Sequence, residues 1–151
     1  MLMRQILAIY LICILVQGCS TTHLLNNSQH NTESTKAVLE ANLWLLEDVD
    51  QAGVIDYVSA TLRFDSDRGL LSGSTGCNRY SASYQFDGEK LSVGIPRSTR
   101  KSCVPALMNQ ERKFLAALSE ASFFAIDQKQ SLTLYDTNRV GRLRLFAKQV
   151  D

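Results

Sequence analysis

The sequence predicts an α+β fold in which one amphipathic helix packs on a curved, barrel-like antiparallel β-sheet. From about residue 42 onward, short runs of alternating apolar and polar residues are separated by turn residues, as in antiparallel strands with one buried face. The segment that begins at Pro105 differs, because its apolar residues recur at intervals of three and four, as on one face of a helix. These two patterns place a single helix among many strands.

Five strands are predicted before the helix. They are identified by alternation around Trp44 and Leu46 and over residues 60–64, 71–73, 80–86 and 91–95. A Gly-containing turn at residues 66–69 separates the second strand from the third, and Gly76 marks the end of the third. Asp87-Gly88 is a strong two-residue hairpin signal, so the fourth and fifth strands are expected to pair directly.

The helix is expected to run from Pro105 to about Leu118. Proline is favoured at the first helical position, because the N–H that it lacks would have no partner there. The residues that recur on one face are Leu107, Glu111, Phe114, Leu115 and Leu118. Three closing strands are predicted at residues 123–126, 132–135 and 143–146, with turns at residues 128–129 and at Asn138.

Residues 1–18 resemble the signal peptide of a bacterial lipoprotein. Arg4 precedes an apolar stretch, residues 6–16, that is long enough for a signal core and too short to span a bilayer. Residues 16–19, Val-Gln-Gly-Cys, resemble a lipobox, which implies cleavage before Cys19 and its acylation with chains such as palmitate. Several acyl chains anchor a protein stably, so we expect a lipid-anchored protein of the cell envelope. By resemblance to known sorting preferences, Ser20 favours the periplasmic face of the outer membrane in an organism with two membranes.

Composition sets the domain boundaries. Residues 19–41 are expected to be a lipidated cysteine followed by a flexible tether, because residues 20–36 are polar and have few large apolar side chains to bury. Residues 42–151 then form the one folded domain. Both histidines, His23 and His30, lie in the tether, so the domain has no imidazole for a Ser-His-Asp or Cys-His catalytic site or a His-ligated zinc.

Charge and cysteine content narrow the function classes further. Removing Arg4 with the signal leaves 15 basic residues against 15 acidic ones, and this zero net charge argues against non-specific nucleic-acid binding. Once Cys13 is removed with the signal and Cys19 is acylated, Cys77 and Cys103 remain. In an oxidising compartment a lone pair suggests a disulfide, with two separately buried thiols as the alternative.

An ordered series of motifs from about residue 43 to residue 146 resembles the META domain of the HslJ group. The matching segments are 44–46 (Trp-Leu-Leu), 60–64 (Ala-Thr-Leu-Arg-Phe), 73–80 (Gly-Ser-Thr-Gly-Cys-Asn-Arg-Tyr), 98–103 (Ser-Thr-Arg-Lys-Ser-Cys), 110–111 (Gln-Glu), 114–118 (Phe-Leu-Ala-Ala-Leu), 132–135 and 143–146. Two departures are Ala82, where the family usually has Gly, and Lys101-Ser102 in place of Met-Ala. The second departure makes this loop more polar and more basic than is usual in the family.

The resemblance implies an envelope domain associated with stress tolerance, secretion or motility, without an established reaction, substrate, cofactor or metal. We therefore expect a non-catalytic protein, attached to the membrane by its lipid, that binds another envelope component or supports envelope integrity. One alternative is an inhibitor of a cell-wall hydrolase of the lysozyme type. Another is a binder of acyl chains or hydrophobic peptide, by fold-level analogy with the pilot lipoproteins of secretion systems.

The candidate binding patch comprises Asn78, Arg79, Arg97, Arg100 and Lys101. With Arg79 brought near the other cations by the disulfide, the patch would accept phosphate headgroups or an acidic protein surface. The alternative is an ordinary solvated loop, which short clusters of charge usually form.

Two other features have a functional and a structural interpretation. The Gly76-Cys77-Asn78 segment could form a functional loop, but the structural alternative is a disulfide at Cys77 with Asn78 hydrogen-bonded to the turn. Glu111 would serve as an acid or base only if it were buried beside a second reactive group. The sequence instead favours a local cap or ion pair near the helix start, where the helix dipole attracts negative charge.

Overall fold

The computed structural model describes residues 34–148. The predicted signal peptide, the predicted acylation site Cys19, both histidines and the predicted tether up to residue 33 lie outside the described residues. Residues 35–148 belong to one compact unit. That unit has the predicted α+β fold, in which a helix packs on a closed antiparallel barrel.

Eight strands of the described region close the barrel, and a ninth is attached to one of them. The strands are β1 (Leu43–Val49), β2 (Thr61–Asp65), β3 (Leu70–Ser74), β4 (Arg79–Asp87), β5 (Lys90–Val93), β6 (Arg97–Ser98), β7 (Phe123–Ile126), β8 (Ser131–Tyr135) and β9 (Gly141–Lys148). The barrel order is β3-β2-β1-β9-β8-β7-β5-β4, and the pairing of β3 with β4 closes the ring. The short strand β6, which alternation did not predict, pairs with β4 outside the ring.

The β4–β5 hairpin forms as predicted, with its turn one residue later than expected. Asp87 pairs with Lys90, so the two central residues are Gly88 and Glu89. Gly88 has a φ of 60°, and a positive φ at the first central position alone is the type II′ pattern that favours glycine there. Ile95, expected on the returning strand, lies beyond β5 and is 88% exposed.

The helix α2 (Pro105–Ser119) packs against β1 and β9 of the barrel. Its predicted apolar face is confirmed at Leu107, Phe114 and Leu118, which are all buried. The Phe114 ring meets the ring of Tyr80 edge to face, with 5.3 Å between centroids. Inward-pointing side chains fill the barrel, and the largest fully buried ones include Trp44, Leu62, Leu71, Leu91, Leu132, Leu134, Leu143 and Leu145.

A short helix, α1 (residues 34–41), precedes β1, so the predicted tether does not extend over these residues. Leu39 is 1% exposed and belongs to the core. Its burial offsets part of the entropy lost when this segment is ordered. Two side-chain donors cap the last carbonyls of α1: the Trp44 indole N–H donates to the Leu39 carbonyl (2.9 Å), and the Asn42 amide donates to the Val38 carbonyl (2.7 Å). The folded domain therefore begins before residue 42.

Candidate functional site

The predicted disulfide joins Cys77, in the loop between β3 and β4, to Cys103, just before α2. The Cα atoms of the two cysteines are 6.2 Å apart, within the usual range for a disulfide. The pairing rules out the alternative of two separately buried thiols. It ties the β3–β4 loop to the segment that leads into the helix.

Gly76 allows this loop to pack closely on the domain. Its φ is +92°, which side chains with a Cβ rarely adopt. A Cβ added there would lie 2.3 Å from Cγ1 of Val58 and 3.3 Å from Cδ1 of Leu107. Glycine is therefore required here both by backbone conformation and by space.

Asn78 is the centre of a hydrogen-bond network beneath the disulfide. Its Oδ1 accepts hydrogen bonds from the Lys101 backbone N–H (2.8 Å) and the Thr99 hydroxyl (2.7 Å). Its Nδ2 donates to both carboxylate oxygens of Glu111, at 3.0 and 2.9 Å. Asn78 is only 5% exposed, so its amide positions the segment around Lys101 and has little surface to offer a ligand.

Glu111 does not cap or pair locally as predicted, because its carboxylate reaches across to the β3–β4 loop. Besides the Asn78 amide it accepts a hydrogen bond from the Thr75 hydroxyl (2.9 Å). The neighbouring Gln110 accepts one from the backbone N–H of Ile55 (2.7 Å). The first half of α2 thus holds two separate loops. The hydrogen bonds to the Glu111 carboxylate are charge-assisted and therefore among the stronger ones.

The predicted cations are brought together on the surface above this network. We call residues 95–104 the basic segment. Within it Arg97, on β6, lies opposite Ser81 of β4, and Arg79 is two residues before Ser81 on the same face of that strand. Thr99 continues this pairing, since its backbone N–H donates to the Arg79 carbonyl (3.0 Å). Strand pairing therefore makes Arg79 and Arg97 diagonal neighbours.

The four cations are exposed and, within residues 34–148, none has a carboxylate oxygen within 4.0 Å of its charged nitrogens. They are Arg79, Arg97, Arg100 and Lys101. Their charges are free to meet an anion from outside the domain, whereas Asn78, the fifth residue of the predicted patch, is buried and does not belong to this surface. Binding at that surface remains a prediction.

Sequence reasoning missed one cation on the same face of the sheet. Arg63 pairs with Ser72, Ser72 with Ser81, and Ser81 with Arg97, which places the two arginines in one row across four strands. Three strand spacings separate them by about 14 Å. Arg63 occupies a polar position in the alternation of its strand, but only the strand order shows which face it shares.

A shallow groove of about 300 Å³ borders the basic segment beside α2. It is lined by Asn78, Lys101, Met108, Glu111, Arg112 and Leu115. Neutral donors from Asn78 and Thr75 engage the carboxylate of Glu111 without cancelling its charge, so the groove has two positive charges, at Lys101 and Arg112, against one negative charge. The groove therefore extends the basic surface along the helix.

Several pKa shifts have a clear physical cause elsewhere in the domain. Burial, with a smaller effect of the charges of Glu40 and Asp65, raises the pKa of Tyr84 to about 12. The Arg139 guanidinium, hydrogen-bonded to Glu89, lowers the pKa of that carboxyl. Burial also raises the pKa of Tyr80, whose hydroxyl donates to the Thr61 carbonyl (2.8 Å).

Across residues 34–148, no three His, Cys, Asp or Glu side chains are grouped so that they could hold a metal ion. The same residues include no helix with the length and apolar character needed to cross a bilayer.

Comparison with known proteins places this architecture in one family. Residues 37–150 match the META domain. A protein from Burkholderia xenovorans, solved by NMR, is 25% identical, with a TM-score of 0.61 over 76% of this chain and 88% of that one. A DUF4847 family protein from Bacteroides vulgatus shares the fold at 15% identity, with a TM-score of 0.56 over 78% of this chain and 99% of that one. No curated protein matches the chain. Because the family match covers most of the sequence, the chain belongs to the META domain family.

Proposed function

We propose that the chain is an exported lipoprotein, anchored through Cys19, whose META domain is a non-catalytic module that binds another component of the cell envelope. The signal-like residues 1–18 and the lipobox-like residues 16–19 support the anchor. The basic segment, together with Arg79, is the surface that makes the contact.

One observation carries the binding role: the four cations clustered at this surface lack an acidic partner among residues 34–148, whereas Arg139, Arg142 and Arg144 are each paired with a carboxylate. The disulfide and the Asn78 network hold the backbone beneath them. A preorganised surface loses little conformational entropy on binding. A fixed cluster of uncompensated positive charge therefore suits an anionic partner.

The chemistry of the Asn78 network supports a binding role over a catalytic one. Glu111 belongs to that network, and both of its carboxylate oxygens already accept hydrogen bonds from Asn78 or Thr75. The two histidines of the chain are at positions 23 and 30, before the folded domain. A general acid or base beside the disulfide would have to be Glu111, which already holds the β3–β4 loop on α2.

A hydrophobic ligand inside the barrel is the weaker alternative. The side chains that point inward are almost entirely inaccessible, with Trp44, Leu62, Leu132 and Leu145 at 0% exposure. An acyl chain would have to displace this packing, which close-packed interiors resist.

Fractionation of cells that express the full chain tests the anchor. The wild type and a Cys13→Ser control, altered within the signal, are expected in the membrane fraction, whereas Cys19→Ser is expected to leave it. Membrane extracts should contain a product that starts at residue 19 and carries the mass of acyl chains. An unchanged membrane pool for Cys19→Ser would refute the anchor.

Site-directed crosslinking in the same cells tests the binding surface. A photoreactive residue at Ser98, which is exposed, is expected to form adducts that a photoreactive residue at Lys129 does not form. The adducts should decline when Arg79 and Arg97 are both changed to Gln. Adducts of equal yield in that variant would mean that the cations do not make the contact.

A further inference from the structure

Exposed aliphatic side chains stand at both ends of the basic segment. Ile95 is 88% exposed and Val104 is 66% exposed, while Arg97, Arg100 and Lys101 lie between them. The sequence contains no Asp or Glu between Glu89 and Glu111. The segment therefore combines positive charge with apolar tips and has no acidic residue of its own.

This combination matches the boundary between a bilayer and water. Lys and Arg near an anionic membrane are attracted to its phosphate groups, and aliphatic side chains gain by entering the region between headgroups and acyl chains. Protein interfaces instead concentrate aromatic residues at a buried centre. The chemistry of the segment thus favours a lipid surface over a protein surface.

The segment is also presented in a fixed conformation. Arg97 belongs to β6 and is held by its pairing with Ser81 of β4. Cys103 is bonded to Cys77, and the backbone N–H of Lys101 donates to Asn78. Cations held in place by backbone contacts keep their long side chains free to reach phosphates at slightly different depths.

We infer that the basic segment, with Arg79, docks the META domain flat on an anionic phospholipid bilayer: the cations contact lipid phosphates, and Ile95 and Val104 enter the headgroup boundary. This inference rests on the proposed function because it uses the same binding surface. It goes further by naming the envelope component as the lipid bilayer itself. The anchor at Cys19 would keep the domain beside such a surface, so even a weak contact would be occupied often.

Vesicle binding by the unacylated chain tests the inference without the anchor. The chain from residue 19 with Cys19→Ser retains every residue of the described domain. In about 0.1 M salt it is expected to bind phosphatidylcholine vesicles that contain about 30 mol % phosphatidylglycerol, and not pure phosphatidylcholine vesicles. Binding should weaken as salt is raised.

The double substitution Arg97→Gln, Arg100→Gln is expected to weaken binding about 30-fold, since each cation near an anionic surface contributes about fivefold. The matched control is Lys90→Gln, Lys129→Gln, which removes the same charge from two exposed hairpin positions. Lys90 pairs with Asp87, the last residue of β4, whereas Arg79 is the first. A nine-residue strand is about 26 Å long, so Lys90 lies far beyond the screening length of about 10 Å from Arg79. The control is expected to bind almost as the parent does.

A second pair of variants, Ile95→Ser and the control Val140→Ser, tests the aliphatic contact with the bilayer. Ile95→Ser is expected to weaken vesicle binding about fivefold, and this loss should persist at high salt because it does not depend on charge. Val140→Ser removes a comparable exposed aliphatic side chain, 46% exposed, from the β8–β9 turn and should leave binding unchanged. Thermal unfolding of each variant verifies that it folds.

Two results would overturn the inference. The first is equal loss of binding in the basic-segment variant and in the hairpin control, which would indicate a general charge effect. The second is no binding to anionic vesicles while the Ser98 crosslinker captures an acidic protein in an Arg97-dependent way. That second result would leave the proposed binding function intact and assign the surface to a protein.

Discussion

Cations on two parts of the barrel surface have opposite surroundings. Along β9 and the turn before it, each arginine has a carboxylate partner: Arg139 pairs with Glu89, Arg142 with Asp50, Glu120 and Asp136, and Arg144 with Glu47. We call these three arginines the paired region. In the basic segment and at Arg79, no described carboxylate oxygen lies within 4.0 Å of a charged nitrogen. The difference indicates that charge in the paired region serves the fold, whereas charge in the basic segment is available to a partner.

The largest expected effect comes from removing the covalent support of the basic segment. Changing Cys77 and Cys103 to Ser should lower the free energy of unfolding by about 3.5 kcal/mol, because the open loop gains entropy in the unfolded chain. Urea unfolding measures the change. The wild type with a thiol reductant should match the variant, and an identical urea midpoint with and without reductant would contradict the prediction.

The next effect concerns the carboxylate beneath the segment. Glu111→Ala leaves the Asn78 amide and the Thr75 hydroxyl without their shared acceptor, at a cost of about 2 kcal/mol. Asn78→Ala should cost a similar amount. The double variant should cost clearly less than the two changes together, since both remove the same contact. Strict additivity in the urea midpoints would show that this contact contributes nothing.

A direct test of the comparison substitutes one arginine from each region. Arg142→Gln leaves Asp50 and Glu120 facing each other without their cation and should lower stability by about 1 kcal/mol. Arg97→Gln removes no ion pair and should change stability by less than about 0.5 kcal/mol. Thermal denaturation of both variants in one buffer provides the measurement. Equal losses would remove the distinction between the two regions.

The smallest expected effect is a difference in acid sensitivity. The pKa of Glu89 is lowered in the folded state by Arg139, so its contribution to stability is present above the unfolded-state value of 4.5 and is lost as pH falls through the lower folded value. Arg139→Gln should therefore flatten the decline in stability below that pH. Arg97→Gln should leave the decline unchanged. The check is a series of urea midpoints between neutral and acidic pH, and parallel curves for all three proteins would contradict it.

Local patterning predicts most of the fold and less of the site. Alternation and turn residues identify the eight barrel strands, and the strand Phe123–Ile126 has the predicted bounds. The strand β6 is not predicted because two residues are too few to show alternation. The helix α1 is not predicted because its short apolar run, residues 37–39, directly follows a long polar stretch, and the burial of Leu39 depends on the barrel beneath it.

The site depends on contacts between residues that are far apart in the chain. Asn78 and Glu111 are 33 residues apart, and only the packing of α2 beside the β3–β4 loop brings them together. Arg63 joins the basic face through the order of four strands. The cysteine positions and the expected export predict the disulfide, because Cys77 and Cys103 are the two cysteines of the predicted domain.

The hydrogen bond between α1 and Trp44 gives the domain a built-in optical probe. Trp44 is the one tryptophan of the chain, it is 0% exposed, and its indole N–H is bonded to the last turn of α1. Detachment of that helix would admit water to the indole and shift its fluorescence to longer wavelength, even with the barrel intact. Emission from unlabelled protein can therefore report how firmly this N-terminal helix is fastened to the barrel during any of the binding experiments above.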